Sequence, residues 1–451
     1  MRNFFTKLFT KINTGPWPYI VSFGLLIVGT ILVYNSPRSL FAFLILMTCP
    51  LMLYFFTMDN RVKLLIGLLL AVVIVPVIGI RNIFYLEVIF QISLFAALAL
   101  GLNIVIGMAG LLDLGYVAFY AVGAYFWAIF GSKQMFLLDQ VPGAAPAGAP
   151  FFLDPQWFWL FLFLGIGLAA LTGILLGLPV LRLRGDYLAI VTLGFGEVIR
   201  VLALNLDKPI NLTNGPQGIT PIQRPPLPPA AILDGLRVVL RPLVGRDITD
   251  AQFYNVFFYF LALLVILAAI LVARRLEDSR IGRAWTAIRE DETAAIAMGI
   301  PLVRMKLGAF AAGASFAGMM GVLYAANRTF VSPESFSFLQ SIGVLTMVIL
   351  GGIGSIPGVI LGAAVVVLLN IQILQTFSLY LSSLRQSSAV IPIINFAWRD
   401  LSTQLDPAKY QRLVFGVILV VMMIFRPAGL IPAERRRREL ASEDPDTSME
   451  V

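Results

Sequence analysis

The chain of 451 residues contains no histidine, one cysteine and few charged residues. The absence of histidine excludes catalysis, metal ligation and proton relays that depend on imidazole. A single cysteine, Cys49, excludes an intrachain disulfide and a metal cluster held by cysteines alone. No Gly-x-x-x-x-Gly-Lys-Ser/Thr sequence occurs, so the chain lacks the loop that commonly cradles nucleotide phosphates. We therefore expect no metal site, no catalytic residue and no cofactor bound by this chain.

Hydrophobic residues dominate the composition. They make up 59% of the chain, whereas charged residues make up only 13%. Because soluble domains carry about 25% charged residues, the composition predicts an all-α polytopic protein embedded in a lipid bilayer. The net charge of +8 does not indicate nucleic-acid binding, since the basic residues follow the ends of apolar segments and form no single patch.

Apolar runs that could cross a bilayer recur along the chain. Twelve candidate spans are predicted, at residues 18–35, 38–57, 63–80, 83–106, 115–131, 157–181, 187–205, 253–273, 306–328, 339–353, 356–376 and 410–425. Several are short or rich in glycine, so we expect about ten to twelve membrane segments that include broken or re-entrant helices. Glycine pairs such as Gly173 and Gly177 predict close helix packing. Alternating the spans gathers lysine and arginine on one side, which places both termini in the cytoplasm.

The most densely charged internal segment is the loop at residues 273–301. Apolar residues recur in it at helical spacing: Trp285, Ile288, Ala295 and Met298. Gly299 suits a left-handed cap, and Pro301 cannot continue the helix. The pattern predicts a short helix presented to a soluble partner, and the alternative is an amphipathic helix that rests on lipid headgroups.

Asp113, Glu197 and Arg200 are charged residues that fall in or beside apolar spans. A charge in hydrocarbon costs about 2.5–3.5 kcal/mol on insertion scales. Glu197 and Arg200 are three residues apart and can pair on one helix face, either as a polar patch facing a pathway or as a structural ion pair. Asp113 lies among glycines that break helical continuity. It belongs either to a broken helix near a pathway or to a turn in which it caps the next helix.

Five stretches carry a resemblance to known permeases. The loop sequence Gly282-Arg-Ala-Trp-Thr-Ala-Ile-Arg-Glu-Asp-Glu-Thr-Ala-Ala-Ile-Ala-Met-Gly-Ile resembles the cytoplasmic EAA-type loop of ABC-importer permeases. Together with four further stretches, it resembles the branched-chain amino acid permeases of the LivM type. Those stretches are residues 101–125, residues 182–197, Leu350-Gly-Gly-Ile-Gly-Ser-Ile-Pro-Gly and Phe425-Arg-Pro-Ala-Gly-Leu. The similarity runs from about residue 85 to 432, and Thr293 departs from the general Glu-Ala-Ala pattern.

The resemblance implies a permease subunit of an ATP-driven importer in the bacterial cytoplasmic membrane, without an ATPase site of its own. It implies four partners, namely a second, LivH-like permease, two cytoplasmic ABC ATPases that bind the ATP, and a periplasmic amino-acid-binding protein. The implied cargo is leucine, isoleucine or valine. The residues implied for ATPase coupling are Gly282, Arg283, Trp285, Ala287, Arg289, Glu290, Asp291, Glu292, Ala294, Ala295 and Gly299.

This interpretation divides the chain into three parts. Residues 1–80 are predicted to be accessory transmembrane segments, residues 81–432 the permease core with a coupling loop at 274–305, and residues 433–451 a charged, disordered cytoplasmic tail. One alternative is an ABC importer of the same class that transports urea, short amides or polar amino acids. A second is an ion-coupled secondary transporter, in which the charged loop is only a connector. Under the main interpretation, Glu292→Lys should abolish uptake because it inverts a charge at the ATPase contact.

Overall fold

The computed structural model describes most of the chain. The described residues are 13, 15–35, 39–139, 150–180, 186–229, 233–235, 237–238, 241, 248–386, 390–391, 396–397 and 407–433. The predictions for the extreme N-terminus and for residues 434–451 lie outside this part of the chain and stay predictions.

Helices dominate the described residues, as the apolar runs predict. The first eight are α1 (Trp17–Asn35), α2 (Leu40–Phe55), α3 (Asn60–Leu68), α4 (Val75–Arg81), α5 (Ile83–Asn103), α6 (Val117–Phe130), α7 (Phe158–Val180) and α8 (Asp186–Asn205). The next eight are α9 (Asp250–Glu277), α10 (Arg280–Glu290), α11 (Glu292–Ala297), α12 (Leu302–Arg328), α13 (Phe338–Gly351), α14 (Ile356–Leu368), α15 (Gln375–Gln386) and α16 (Gln411–Phe425). Two short antiparallel strands, β1 (Val390–Ile391) and β2 (Phe396–Ala397), follow α15.

Nine helical segments of the described chain are long and apolar enough to cross a membrane, and three apolar helices are shorter. These segments coincide with the twelve predicted spans, so the predicted fold class is confirmed. Some of the helices are irregular, as expected. The π-helical segments Leu69–Ile74 and Leu369–Leu374 join α3 to α4 and α14 to α15, and Ile104–Met108 ends α5. An irregular backbone then leads to α6.

The chain forms two compact units that do not follow its linear order. The first comprises Met1–Phe90, Leu227–Phe260 and Asn370–Ala408, and the second comprises Gln91–Pro226, Leu261–Leu369 and Lys409–Val451. Inside the first unit, the buried side chains of Ile80, Leu233, Ile248 and Phe253 form one apolar cluster. The predicted boundaries at residues 80 and 432 divide the chain into contiguous parts, whereas each compact unit combines separate segments. The units therefore do not test those boundaries, which stay predictions.

The core of the second unit lies where α12 packs against α6 and α7. Glycine allows the close approach of these helices. A Cβ atom on Gly318 would lie 2.5 Å from the carbonyl oxygen of Gly165, and one on Gly173 would lie 2.8 Å from that of Phe310. The close packing predicted from the glycine pairs is therefore confirmed.

Candidate functional site

The charged loop folds into two helices, α10 and α11, and not into the one that was predicted. The break falls at Asp291, whose backbone is extended, with φ −153°. Its carboxylate accepts hydrogen bonds from the amides of Thr293 at 2.7 Å and Ala294 at 3.0 Å, as an N-cap does. The Ala294 and Thr293 amides hold the pKa of Asp291 below its usual value, because they stabilise the charged carboxylate. Asp291 is therefore both the residue at which α10 ends and the N-cap of α11.

The two ends of the loop are built from common capping groups. The Ser279 hydroxyl accepts a hydrogen bond from the Gly282 amide at 3.1 Å and begins α10. Gly282 is buried, and a Cβ atom there would lie 2.1 Å from the Leu276 carbonyl oxygen. At the other end, Gly299 adopts φ +80°, which is the left-handed geometry expected of it. Pro301 follows and precedes the first residue of α12.

Trp285 anchors α10 to α12. Its side chain is 2% exposed, and its indole Nε1–H donates a hydrogen bond of 2.7 Å to the Met305 carbonyl oxygen. Ile288, one turn further along α10, is also buried. The apolar side of α10 therefore packs into the protein, which accounts for the helical spacing of these two residues.

Glu292 and Lys306 form an ion pair that joins α11 to α12, with 2.5 Å between Oε1 and Nζ. The Lys306 side chain is only 4% exposed and that of Glu292 is 23% exposed. Glu292 therefore faces the protein, although the sequence pattern placed its charge at an external contact. Sequence reasoning missed Lys306, because the partners are 14 residues apart and no helical repeat relates them.

The remaining side of the loop is open. The predicted coupling residues Arg283, Arg289, Glu290 and Ala294 are exposed, Ala287 is half-buried and Ala295 is buried. Met298, which shares the helical spacing of Trp285 and Ile288, is 82% exposed. The break at Asp291 separates it from the helix that carries Trp285 and Ile288.

Glu197 and Arg200 pair on α8, with 2.8 Å between Oε2 and Nε. The guanidinium group also lies 3.6 Å from Oε1 of Glu334 in the segment before α13. The pair thus connects α8 to a neighbouring segment, as a structural ion pair would. Its position relative to a transport pathway stays a prediction.

Asp113 lies in the irregular segment between α5 and α6, and its side chain is buried. Its Oδ1 accepts a hydrogen bond of 2.9 Å from the Gly115 amide, and its Oδ2 is buried. Burial raises the pKa of Asp113 to about 7, against the opposing effect of the Gly115 amide. The first amide of α6, that of Val117, donates to the Ser341 hydroxyl at 3.2 Å, and Asp113 bonds the Gly115 amide before the helix, so its predicted role as the cap of α6 is not observed.

The five stretches that carry the resemblance meet within the second unit. Arg289 of the loop donates from Nη1 to the carbonyl oxygen of Gly107. Three further hydrogen bonds join the other stretches, from the Gly354 amide to Asn103 Oδ1 at 2.8 Å, from the Leu114 amide to Thr192 Oγ1 at 3.0 Å, and from the Leu430 amide to the Leu350 carbonyl oxygen at 2.9 Å. Segments far apart in sequence therefore form one connected structure around the end of α5.

A bundle of membrane-length helices that holds a folded, charged loop defines a polytopic membrane protein of the permease class. A family described as "Branched-chain amino acid transport system / permease component" matches residues 84–423. Because this match spans most of the sequence, the chain belongs to that family. No solved structure gives a significant match.

Individual relatives agree with the family. The high-affinity branched-chain amino acid transport system permease protein LivM of Salmonella typhimurium is 39% identical over 77% of this chain and 70% of its own length. The protein of the same name from Escherichia coli is 38% identical, with the same coverage. The permease protein LivH of Salmonella typhimurium is 37% identical, over only 19% of this chain and 28% of its own length. The chain is thus similar to LivM over most of its length and to LivH over a short part.

Proposed function

We propose that this chain is the transmembrane permease subunit of an ATP-driven importer for leucine, isoleucine and valine, and that it forms half of the translocation pathway. The observation that supports this proposal most strongly is the structure of the charged loop in a chain of the permease family. The loop has one side packed into the bundle and another side open to a partner. Movement imposed on the open side would reach the membrane helices through the packed side.

The proposal includes partners that supply what this chain lacks. Two cytoplasmic ABC ATPases bind ATP and dock on the open side of α10 and α11, a LivH-like permease completes the pathway, and a periplasmic binding protein delivers the amino acid. The complex resides in the bacterial inner membrane, with both termini of this chain in the cytoplasm. Residues 1–80 are accessory transmembrane segments. This chain contributes no ATPase site.

Polar groups of the bundle are candidates for the pathway. Asp113 offers a buried carboxyl group at a break between two helices, and backbone groups at such breaks bind zwitterionic substrates in other transporters. The pair of Glu197 and Arg200 is a second candidate, located on a different helix. We expect an apolar wall for the aliphatic side chain of the cargo and a few such groups for its ammonium and carboxylate.

Reconstitution tests the function directly. The chain, the LivH-like permease and the two ATPases are assembled in proteoliposomes, and uptake of labelled leucine is measured with the binding protein outside and ATP inside. We expect uptake only when ATP and intact ATPases are both present, with substitution of the Walker A lysine of the ATPases as the control. Uptake driven by an ion gradient without nucleotide would contradict the proposal.

The same vesicles test the cargo. ATP hydrolysis is measured with the binding protein loaded with leucine, isoleucine, valine, a polar amino acid, a short amide or urea. We expect the three aliphatic amino acids to stimulate hydrolysis most strongly. Stimulation by urea or an amide alone would preserve the ATP-driven mechanism and replace the cargo.

A further inference from the structure

The end of α5 needs hydrogen-bond donors from outside the helix. The last carbonyl groups of any helix lack partners within it, and the partial negative charge at a helix C-terminus attracts cations. Here the helix ends in the π-helical segment Ile104–Met108, whose last bonds include one from the Ala109 amide to the Ile104 carbonyl oxygen at 3.2 Å. Arg289 of α10 donates to the Gly107 carbonyl oxygen in this segment. A charged side chain of the loop therefore caps a membrane helix of the bundle.

Two glycines make room for this contact. Gly110 has φ +70°, and a Cβ atom there would lie 2.7 Å from Cγ of Arg289. A Cβ atom on Gly107 would lie 2.3 Å from Asn103 Oδ1 and 2.8 Å from the Gly354 amide nitrogen. The backbone around the end of α5 is thus open at the positions that Arg289 and Gly354 approach.

A second hydrogen bond extends the connection to another pair of helices. Asn103 Oδ1, one turn before Gly107, accepts from the Gly354 amide at 2.8 Å. Gly354 lies in the turn between α13 and α14, and the Ile431 amide in the segment after α16 donates to the Gly351 carbonyl oxygen of the same region at 3.0 Å. The end of α5 is therefore held between α10 on one side and the turn from α13 to α14 on the other.

We propose that Arg289 is a positioning residue that transmits displacement of α10 to the π-helical end of α5 and, through Asn103, to the turn between α13 and α14. This inference rests on the proposed function. It assigns Arg289 a contact with the end of α5, in addition to the docking role expected of the loop. A bond from a charged guanidinium group is about twice as strong as a neutral one. It acts on a π-helical segment, and such segments are frequent at functional sites.

The test separates transmission from docking. The complete importer is reconstituted with wild-type chain, Arg289→Ala, Arg289→Lys or Arg61→Ala, and ATP hydrolysed per leucine imported is measured for each. Arg61 is an exposed arginine on α3, outside the loop, and its replacement is the matched control for loss of one positive charge. The amount of ATPase that copurifies with each complex is measured in parallel.

We expect Arg289→Ala to raise the ATP hydrolysed per leucine at least about fivefold, which is the lower end of typical coupling between sites, while the ATPases still copurify. Arg289→Lys keeps the charge without the forked geometry and should fall between Arg289→Ala and wild type, whereas Arg61→Ala should match wild type. If Arg289→Ala fails to assemble, Arg289→Met serves instead, because its side chain fills similar space but cannot donate a hydrogen bond, and the same rise is expected.

Two results would overturn the inference. One is a wild-type ratio in the Arg289→Ala complex, or in the Arg289→Met complex if that variant is used. The other is loss of ATPase copurification by the Arg289→Lys complex, which would make Arg289 a docking residue only. Failure of the wild-type complex to import leucine with ATP would overturn the proposed function as well, so the two failures are distinguishable.

Discussion

The two helices of the charged loop contact the rest of the protein in different ways. α10 buries Trp285 and Ile288 and reaches α5 through Arg289. α11 buries Ala295 alone and is joined to α12 by the Glu292–Lys306 pair, while Ile296 and the following Met298 are exposed. The comparison indicates a division of roles in which α10 connects the loop to the bundle and α11 presents a surface.

Replacing Trp285 should produce the largest effect, because it removes the main contact of α10. Trp285→Ala is expected to cost about 3–5 kcal/mol of stability, as large-to-small changes of buried aromatic residues do. Trp285→Phe keeps most of the packing, loses the hydrogen bond to Met305 and should cost about 1 kcal/mol. Hydrogen exchange of residues 280–290 and leucine uptake measure the effect. Unchanged exchange in Trp285→Ala would contradict the role given to α10.

The Glu292–Lys306 pair should produce the next effect. Glu292→Lys is still expected to abolish uptake, but now because it places two ammonium groups together beside a largely buried lysine. We expect the free energy of unfolding to fall by about 2 kcal/mol. This is less than for a fully buried ion pair, because Glu292 is 23% exposed. The variant should remain in the membrane.

A charge exchange distinguishes the two explanations of that effect. The double variant Glu292→Lys, Lys306→Glu restores an ion pair between α11 and α12 and should recover much of the uptake. If the exchange recovered nothing while the protein remained folded, loss of the ion pair would not explain the effect of Glu292→Lys, and the negative charge of Glu292 would have to be recognised by a partner.

The N-cap of α11 should produce the smallest effect, and one that depends on pH. Backbone amides lower the pKa of Asp291 in the folded state. The stabilisation by the cap is therefore complete above the ordinary aspartate pKa of about 4. It is lost as the pH falls through the lower pKa of the folded state. Exchange of the Thr293 and Ala294 amides, corrected for its intrinsic pH dependence, should therefore increase only at acidic pH. Asp291→Asn retains a capping oxygen and should remove this dependence, and a variant that kept it would contradict the assignment.

Much of this architecture follows from local sequence, and the contacts that distinguish α10 from α11 do not. Hydropathy locates the candidate spans because each is a continuous local apolar run, and the spacing of Glu197 and Arg200 is enough to pair them. Arg289 and its acceptor are 182 residues apart, so no local pattern relates them. The break at Asp291 had a local signal that was overlooked, since aspartate followed by helix-forming residues is a common helix start.

Cross-linking from Met298 tests the open side of the loop most directly. Because Cys49 is the sole cysteine, a Cys49→Ala chain can carry a single new cysteine with a photoactivatable reagent, either Met298→Cys or the control Leu264→Cys. Met298 is 82% exposed after α11, and Leu264 is 63% exposed on the membrane-length helix α9. In the assembled importer we expect an adduct with the ATPase from position 298 and none from position 264. An intact complex that gave no ATPase adduct from position 298 would contradict the claim that this loop receives the motion of the ATPases.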